Sequence, residues 1–208
     1  MKINFRSRLP LATAALLTAA LLAPFQAWAG PPLICERIDI GNAKSLPWQN
    51  TSEWQGVDPS YNLTRLSEDT LAILTPETPL KVRMETLRRA ALYAAKEPRL
   101  VDELTSRLTA RALDAEAAGR SDAMAWFDAG YFVETVRQAS FIYRYDMLSP
   151  QERAAWKLRG DGHHLDGYAW VQKAIRLGGK NMDGALARMT EYRTADLKSR
   201  EQTKVAAR

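Results

Sequence analysis

The sequence predicts an all-α protein of about seven helices, packed as antiparallel αα-hairpins in a tetratricopeptide-like or irregular bundle. Apolar residues recur at spacings of three and four along most of the chain from residue 62 onward. Proline, glycine and capping residues interrupt these stretches at short intervals. Ala, Leu, Arg and Glu are abundant, and all four favour helix. Because the predicted connections are short, neighbouring helices should run antiparallel.

The first 29 residues have the features of a secretory signal peptide. Lys2, Arg6 and Arg8 precede an uncharged run, and Ala27-Trp28-Ala29 offers a small-x-small cleavage site. The run spans about 17 residues, fewer than the 20 or so that cross a bilayer. We therefore expect cleavage after Ala29 and a periplasmic or secreted mature chain that does not span a membrane.

Residues 30–61 are predicted to form an irregular but ordered leader. Proline recurs four times in this segment, and glycine-containing pairs break regular structure. Leu33-Ile34 and Ile38-Asp39-Ile40 are expected to form short extended pieces. The segment is too apolar for a free linker, so its large side chains should pin it across the helical body: Leu46, Trp48, Trp54 and Tyr61.

Residues 62–195 are predicted to form the helical domain. The expected helices cover residues 63–74, 79–96, 99–118, 122–145, 150–159, 164–177 and 182–195. Pro79 and Pro150 suit first-turn positions, Gly119 suits a C-terminal cap, and Ser121 and Asn181 suit N-caps. Aromatic residues lie on nearly every side of the fourth helix, which predicts that it is central. The apolar stripe fails after Ala195, so residues 196–208 are predicted to be a polar, frayed tail.

Two segments resemble parts of a tetratricopeptide repeat. Trp126-Phe127-Asp128-Ala129-Gly130 followed by Val133 is similar to the start of the first repeat helix, and Lys173 to Leu177 is similar to the end of a second one. The two matches cover about a quarter of the mature chain and fall on different registers of the repeat. The resemblance implies helical hairpins and, with them, a surface for a peptide or protein partner.

Charge argues against a nucleic-acid partner. Removing residues 1–29 lowers Lys plus Arg from 29 to 26 against 24 Asp plus Glu, so the mature chain has a net charge of +2. The residues from Glu191 to the end account for this excess. A nucleic-acid face requires clustered cations, whereas the charges here are interspersed.

Motifs for catalysis or a cofactor are absent from the sequence. There is no G-x-S-x-G, no phosphate-binding glycine loop, no H-E-x-x-H and no C-x-x-C-H. Nothing near Asp114 and Glu116, or near Asp128 and Glu134, predicts the desolvated carboxyl that acid–base chemistry requires. We therefore expect a noncatalytic protein without a cofactor.

The fourth helix carries the candidate binding residues. Tyr131, Glu134 and Gln138 follow one another at helical spacing, with Arg137 on an adjacent face. If this face lined a groove, it would offer aromatic and hydrogen-bonding contacts to an extended peptide. The alternative is that Glu134 and Arg137 form an ordinary i,i+3 ion pair.

A glycine-rich turn offers a second, weaker site. Asp161, His163, His164 and Asp166 are side chains of the kind that bind a divalent transition metal. Adjacent histidines diverge by about 100° on a helix, however, so further ligands would have to come from elsewhere. The alternative is that Asp161 caps the sixth helix and the histidines are solvated in its first turn.

Cys35 is the only cysteine, so no intrachain disulfide can form. In an oxidising compartment, an accessible thiol could join two chains. The alternative is a small buried side chain beside Ile34.

These observations favour a binding or scaffold protein for a protein or peptide partner. The runner-up is a small-molecule or metal-binding protein, or an enzyme, that uses the His163/His164 turn with Tyr168 and Asp166. A purely structural envelope component is the third interpretation.

Overall fold

A computed structural model describes residues 32–49, 56–95, 97–146 and 165–206. Within these ranges the chain forms seven α-helices and no strand, which confirms the predicted all-α fold. The helices are α1 (Pro32–Cys35), α2 (Leu66–Ile73), α3 (Leu80–Ala94), α4 (Pro98–Ala117), α5 (Ala123–Asp146), α6 (Gly167–Arg176) and α7 (Asp183–Ala206). A 3₁₀ turn over Leu63–Arg65 leads into α2. The predicted signal peptide and the predicted helix over 150–159 lie outside the described residues.

Helix α1 is a correction to the sequence analysis. The prediction of an extended piece at Leu33-Ile34 is wrong, because Pro32–Cys35 forms a single helical turn. A proline can occupy the first position of a helix, where a backbone N–H would have no partner within the helix. Ile38-Asp39-Ile40 belongs to no helix or strand.

Proline and glycine lie at several helix ends, although Pro79 precedes the first turn in which it was predicted. Helix α3 begins directly after Pro79, and Pro98 is the first residue of α4. Gly119 follows α4 with a φ of +68°, and its N–H donates to the carbonyl of Glu116. Such a left-handed residue is common after a helix and favours glycine. The predicted cap of α5 was one residue off, because Asp122 rather than Ser121 accepts from the N–H of Ala125, at 2.8 Å.

Helix α5 is the centre of the fold, as its aromatic residues predicted. It contacts α1, α3, α4, α6 and α7. Phe127, Tyr131 and Phe132 are fully buried. Helix α6 crosses α5 closely at two glycines, since a Cβ on Gly130 would lie 2.5 Å from the carbonyl oxygen of Gly167. The crossing also brings Glu134 of α5 against the start of α6, since its Cγ would lie 3.0 Å from a Cβ on Gly167.

Helix α7 extends past its predicted end at residue 195. The backbone of residues 196–206 is helical rather than frayed. Leu197, Lys198, Glu201 and Gln202 favour helix, so the helix continues without an apolar stripe. Among the described residues, no helix combines the length and the apolar character that crossing a membrane requires.

Candidate functional site: the leader-binding face of α3 and α5

The leader packs into the helical body through a few apolar side chains. Leu33 and Ile34 in α1 are fully buried, and so is Leu46 further along. Trp48 is partly buried against the same core. Helix α1 contacts α3, α5 and α7. We call the surface of α3 and α5 beneath residues 32–49 the leader-binding face.

Polar side chains of this face hold the main chain of α1 and of the residues that follow it. Gln138 Oε1 on α5 accepts from the N–H of Leu33 at 2.8 Å. Arg88 Nη1 on α3 donates to the carbonyl of Ile34 at 3.1 Å. Glu85 Oε2, one turn earlier on α3, accepts from the N–H of Ile38 at 3.2 Å. These contacts involve backbone atoms of the leader, so they do not depend on its side chains.

The same pattern continues at Leu46 and Pro47. Arg89 Nη1 donates to the carbonyl of Leu46 at 2.7 Å, and the hydroxyl of Tyr93 donates to the carbonyl of Pro47, also at 2.7 Å. The Tyr93 hydroxyl also accepts from the N–H of Asp58 at 3.1 Å. Side chains at successive turns of α3 therefore hydrogen-bond to the backbone of the leader.

Glu85, Arg88 and Arg89 form a charged cluster that we call the Glu85 centre. Glu85 and Arg88 are fully buried, and Arg89 is mostly buried. Arg88 donates to both carboxylate oxygens of Glu85, and Arg89 Nε donates to Oε1, all at 2.8 Å. Burial by itself would raise the pKa of Glu85, but the hydrogen bonds and charge of Arg88, with hydrogen bonds from Arg89 and the N–H of Ile38, hold it below 4.5. The carboxylate thus stays ionised and orients both guanidiniums toward the leader.

The aromatic ring of Trp48 lies against the Glu85 centre. The guanidinium carbon of Arg88 is 4.7 Å from the ring centroid, and that of Arg89 is 5.5 Å from it. The ring of Tyr93 meets Trp48 edge-on, with centroids 6.2 Å apart. Two cations and an aromatic edge therefore surround one leader side chain.

The predicted groove residues do not line an open groove, so that prediction is wrong. Tyr131, Glu134 and Gln138 are fully buried, and Arg137 is mostly buried. Gln138 lies beneath α1. Glu134 and Arg137 form the i,i+3 pair of the alternative interpretation, with Nη1–Oε1 at 2.7 Å. The face that was predicted to be open is covered by α1 and by the start of α6.

Glu134 and Arg137 secure the beginning of α6. Glu134 Oε1 accepts from the N–H of Tyr168 at 3.1 Å, and Arg137 donates to the carbonyl of Leu165 at 2.5 Å. Burial raises the pKa of Glu134, and Arg137 and Arg193 partly offset that rise. This desolvation leaves no signal in the sequence, because the i,i+3 spacing is the same for exposed and buried pairs.

Two polar groups on the covered face of α5 have no hydrogen-bond partner among the described residues. They are the hydroxyl of Tyr131 and Nε2 of Gln138. Burial raises the pKa of Tyr131, with smaller effects from Arg188, Glu85, Arg88 and Glu36. Both groups can donate to a carbonyl or carboxylate oxygen.

Only Asp166 of the predicted metal ligands is described. Asp161, His163 and His164 lie outside the described residues. Asp166, rather than Asp161, caps α6, and its Oδ1 accepts from the N–H of Ala169 at 3.0 Å. Arg193 Nη1 pairs with the same oxygen at 2.9 Å. The Asp166 carboxylate therefore serves the cap and this ion pair.

Cys35 closes α1 and is partly exposed. Burial raises the pKa of its thiol, the charge of Arg88 lowers it, and the charge of Glu36 raises it. A raised pKa reduces the thiolate fraction and with it the reactivity of the thiol. The intermolecular disulfide stays a prediction.

A further buried carboxylate, that of Asp128, was not recognised in the sequence. Asp128 on α5 and Arg83 on α3 are fully buried and pair at 2.5 Å, and we call them the Asp128 centre. Arg83 also donates to the carbonyls of Thr75 and Thr78, which tie the loop after α2 to α3. Burial raises the pKa of Asp128 to about 6, although the charge of Arg83 and its hydrogen bond lower it.

Comparison of the chain with known protein families, with curated proteins and with solved structures finds no match. The leader-binding face is therefore interpreted from its own geometry.

Proposed function

We propose that the helical body is a noncatalytic scaffold that binds a protein or peptide partner in the periplasm or outside the cell. Its ligand site is the leader-binding face, and the leader occupies that site within the same chain. The partly tetratricopeptide-like pattern at 126–130 agrees with this proposal, because hairpin-repeat proteins commonly bind extended segments.

One observation carries the proposal. At five backbone atoms between Leu33 and Pro47, the leader is hydrogen-bonded by side chains of α3 and α5. Contacts to backbone atoms can be made by any peptide of suitable conformation, whereas apolar pockets select among sequences. The buried apolar anchors at Leu33, Ile34 and Leu46 supply such pockets.

The polar groups of Tyr131 and Gln138 give independent support. An unsatisfied buried polar group costs about 1–3 kcal/mol. A ligand that presents oxygen acceptors to the two groups would remove this cost. Among the described residues, the leader presents no such acceptor to them. A partner peptide with such acceptors would therefore bind this end of the face with a more favourable free energy than the leader does.

The proposal is tested on the mature chain with a site-specific protease sequence in place of residues 50–55. Cutting this sequence leaves residues 30–49 bound by noncovalent contacts alone. We expect the nicked chain to keep its helical circular dichroism and to exchange the fragment for a fluorescent peptide of the same sequence, which raises the anisotropy. Loss of helix as the fragment leaves, or no uptake of the labelled peptide, would contradict the proposal.

Gln138→Ala in the nicked chain tests the backbone contact at Leu33. Losing this buried hydrogen bond should raise the Kd of the labelled peptide by about fivefold to thirtyfold. The matched control is Gln172→Ala, the same change at a partly exposed position of α6. Equal losses of affinity in the two variants would show that Gln138 does not contact the ligand specifically.

A further inference from the structure

We infer that the pocket of Arg88, Arg89 and Tyr93 selects peptides in which an aromatic residue directly follows a proline that is itself preceded by a large apolar residue. This inference rests on the proposed function, and it names the class of ligand. In the leader, Leu46-Pro47-Trp48 occupies the three positions.

The aromatic position is set by cations that are fixed in place. Both guanidiniums near Trp48 are held by Glu85, through Nε and Nη2 of Arg88 and through Nε of Arg89. An arginine that is already oriented loses little side-chain entropy when a ligand binds. A guanidinium near the face of a ring is attracted to its π-electrons, and the attraction strengthens when the cation is desolvated. An aliphatic side chain of similar volume lacks this interaction.

The proline position is set by the two carbonyls that precede the ring. Arg89 and Tyr93 donate to the carbonyls of Leu46 and Pro47, the two residues just before Trp48. Pro47 is exposed and, because it has no backbone N–H, makes no hydrogen bond through its nitrogen. Its fixed φ also favours the extended conformation that presents successive carbonyls to different donors.

The apolar position is set by burial, since Leu46 is fully buried in the core. A smaller or polar residue there would leave a cavity or bury a polar group.

The ring itself, rather than the indole N–H, is the feature recognised. Trp48 Nε1 is buried and has no hydrogen-bond partner in the described part of the chain. A phenyl ring keeps the interaction with the guanidiniums and removes this unsatisfied donor. Phenylalanine should therefore replace tryptophan in a ligand, whereas leucine should not.

The test uses the nicked mature chain and labelled peptides of residues 30–49. We expect Trp48→Phe to change the Kd by less than about threefold and Trp48→Leu to raise it by about tenfold or more. Asn42→Leu is the control, because Asn42 is exposed in a turn of the leader. It should bind as the unchanged peptide does.

The outcomes separate this inference from the proposed function. If no peptide exchanges, the proposed function fails and the inference fails with it. If the unchanged peptide exchanges and Trp48→Leu binds equally well, the peptide site stands and the selection for an aromatic residue is wrong. Equal losses for Trp48→Phe and Trp48→Leu would show that the size of the indole decides, which also overturns the inference.

Discussion

The Glu85 centre and the Asp128 centre each pair a buried carboxylate with a fully buried arginine. The pKa values of the two carboxylates nevertheless shift in opposite directions. Glu85 receives four hydrogen bonds, two on each oxygen, from Arg88, Arg89 and the N–H of Ile38. Asp128 receives one hydrogen bond from Arg83 on Oδ2, and Oδ1 has no partner among the described residues. The four donors help to hold the pKa of Glu85 down, whereas burial dominates at the more deeply buried Asp128.

The two centres also differ in what their buried charges hold in place. The Glu85 centre contacts the leader and orients the groups that hold it. The Asp128 centre ties the loop after α2 to α3 and α5, where no described leader residue takes part in its hydrogen bonds. Only the first centre belongs to the proposed ligand site.

The largest effect is expected from Arg83→Met, which leaves Asp128 without its ion-pair partner. Breaking a buried pair in this way costs about 3–5 kcal/mol. The loss of stability should be smaller at pH 5 than at pH 7.5, because at pH 5 Asp128 is mostly protonated and needs no counter-charge. Urea unfolding at both pH values measures the difference. The exposed Arg107→Met is the control and should change stability by less than about 0.5 kcal/mol. An equal loss of stability for Arg83→Met at the two pH values would contradict the raised pKa of Asp128.

A smaller effect is expected from Arg89→Met, which removes one of two arginines from Glu85. Arg88 still donates to both carboxylate oxygens, so we expect a loss of about 1–2 kcal/mol. This loss should change less between pH 5 and pH 7.5 than the loss in Arg83→Met, because Arg88 still lowers the pKa of Glu85 through its charge and its hydrogen bonds. A loss as large as that of Arg83→Met would show that the arginines of the Glu85 centre do not compensate for each other.

The smallest effect is the change that Asp128→Asn makes in the pH dependence of stability, apart from the overall loss that follows when Arg83 has no counter-charge. The pKa of Asp128 is raised from 3.8 to about 6, so its contribution to stability is full below 3.8 and is lost as the pH rises through about 6. The wild-type chain should gain about 1 kcal/mol from this group between pH 7 and pH 5, and Asp128→Asn should lack that gain. The exposed Asp114→Asn should behave as wild type does. Glu85 has the opposite sign, because its lowered pKa gives stability that is present above 4.5 and lost as the pH falls below it.

Local chemistry made much of the fold predictable. Pro79, Pro98 and Gly119 act within one helical turn of their own positions, so their effects on helix ends can be recognised in the sequence. Helix α1 was missed because Pro31 and Pro32 resemble a helix breaker, and a single turn of helix is stabilised by its burial rather than by propensity.

The candidate site was predicted only in part. Tyr131 and Gln138 were correctly placed on one face of a central helix. Helix α1, which covers this face, lies about a hundred residues away in the sequence. Arg83, Glu85 and Arg88 fall off the apolar stripe of α3, where charged residues normally face solvent. Their burial follows from the leader and from α5, which no local pattern predicts.

Native-state hydrogen exchange on the unmodified chain of residues 30–208 tests the central claim most directly, namely that the leader is a separable occupant of the body. The N–H groups of Leu33 and Ile38 donate to Gln138 and Glu85, so they should exchange together in a partial opening that leaves α5 protected. We predict a free energy of opening for these two amides that is clearly lower than that of the amides of Phe132 and Val136. If all four amides exchange only through global unfolding, with the same free energy, the leader is an integral part of the core and the account is contradicted.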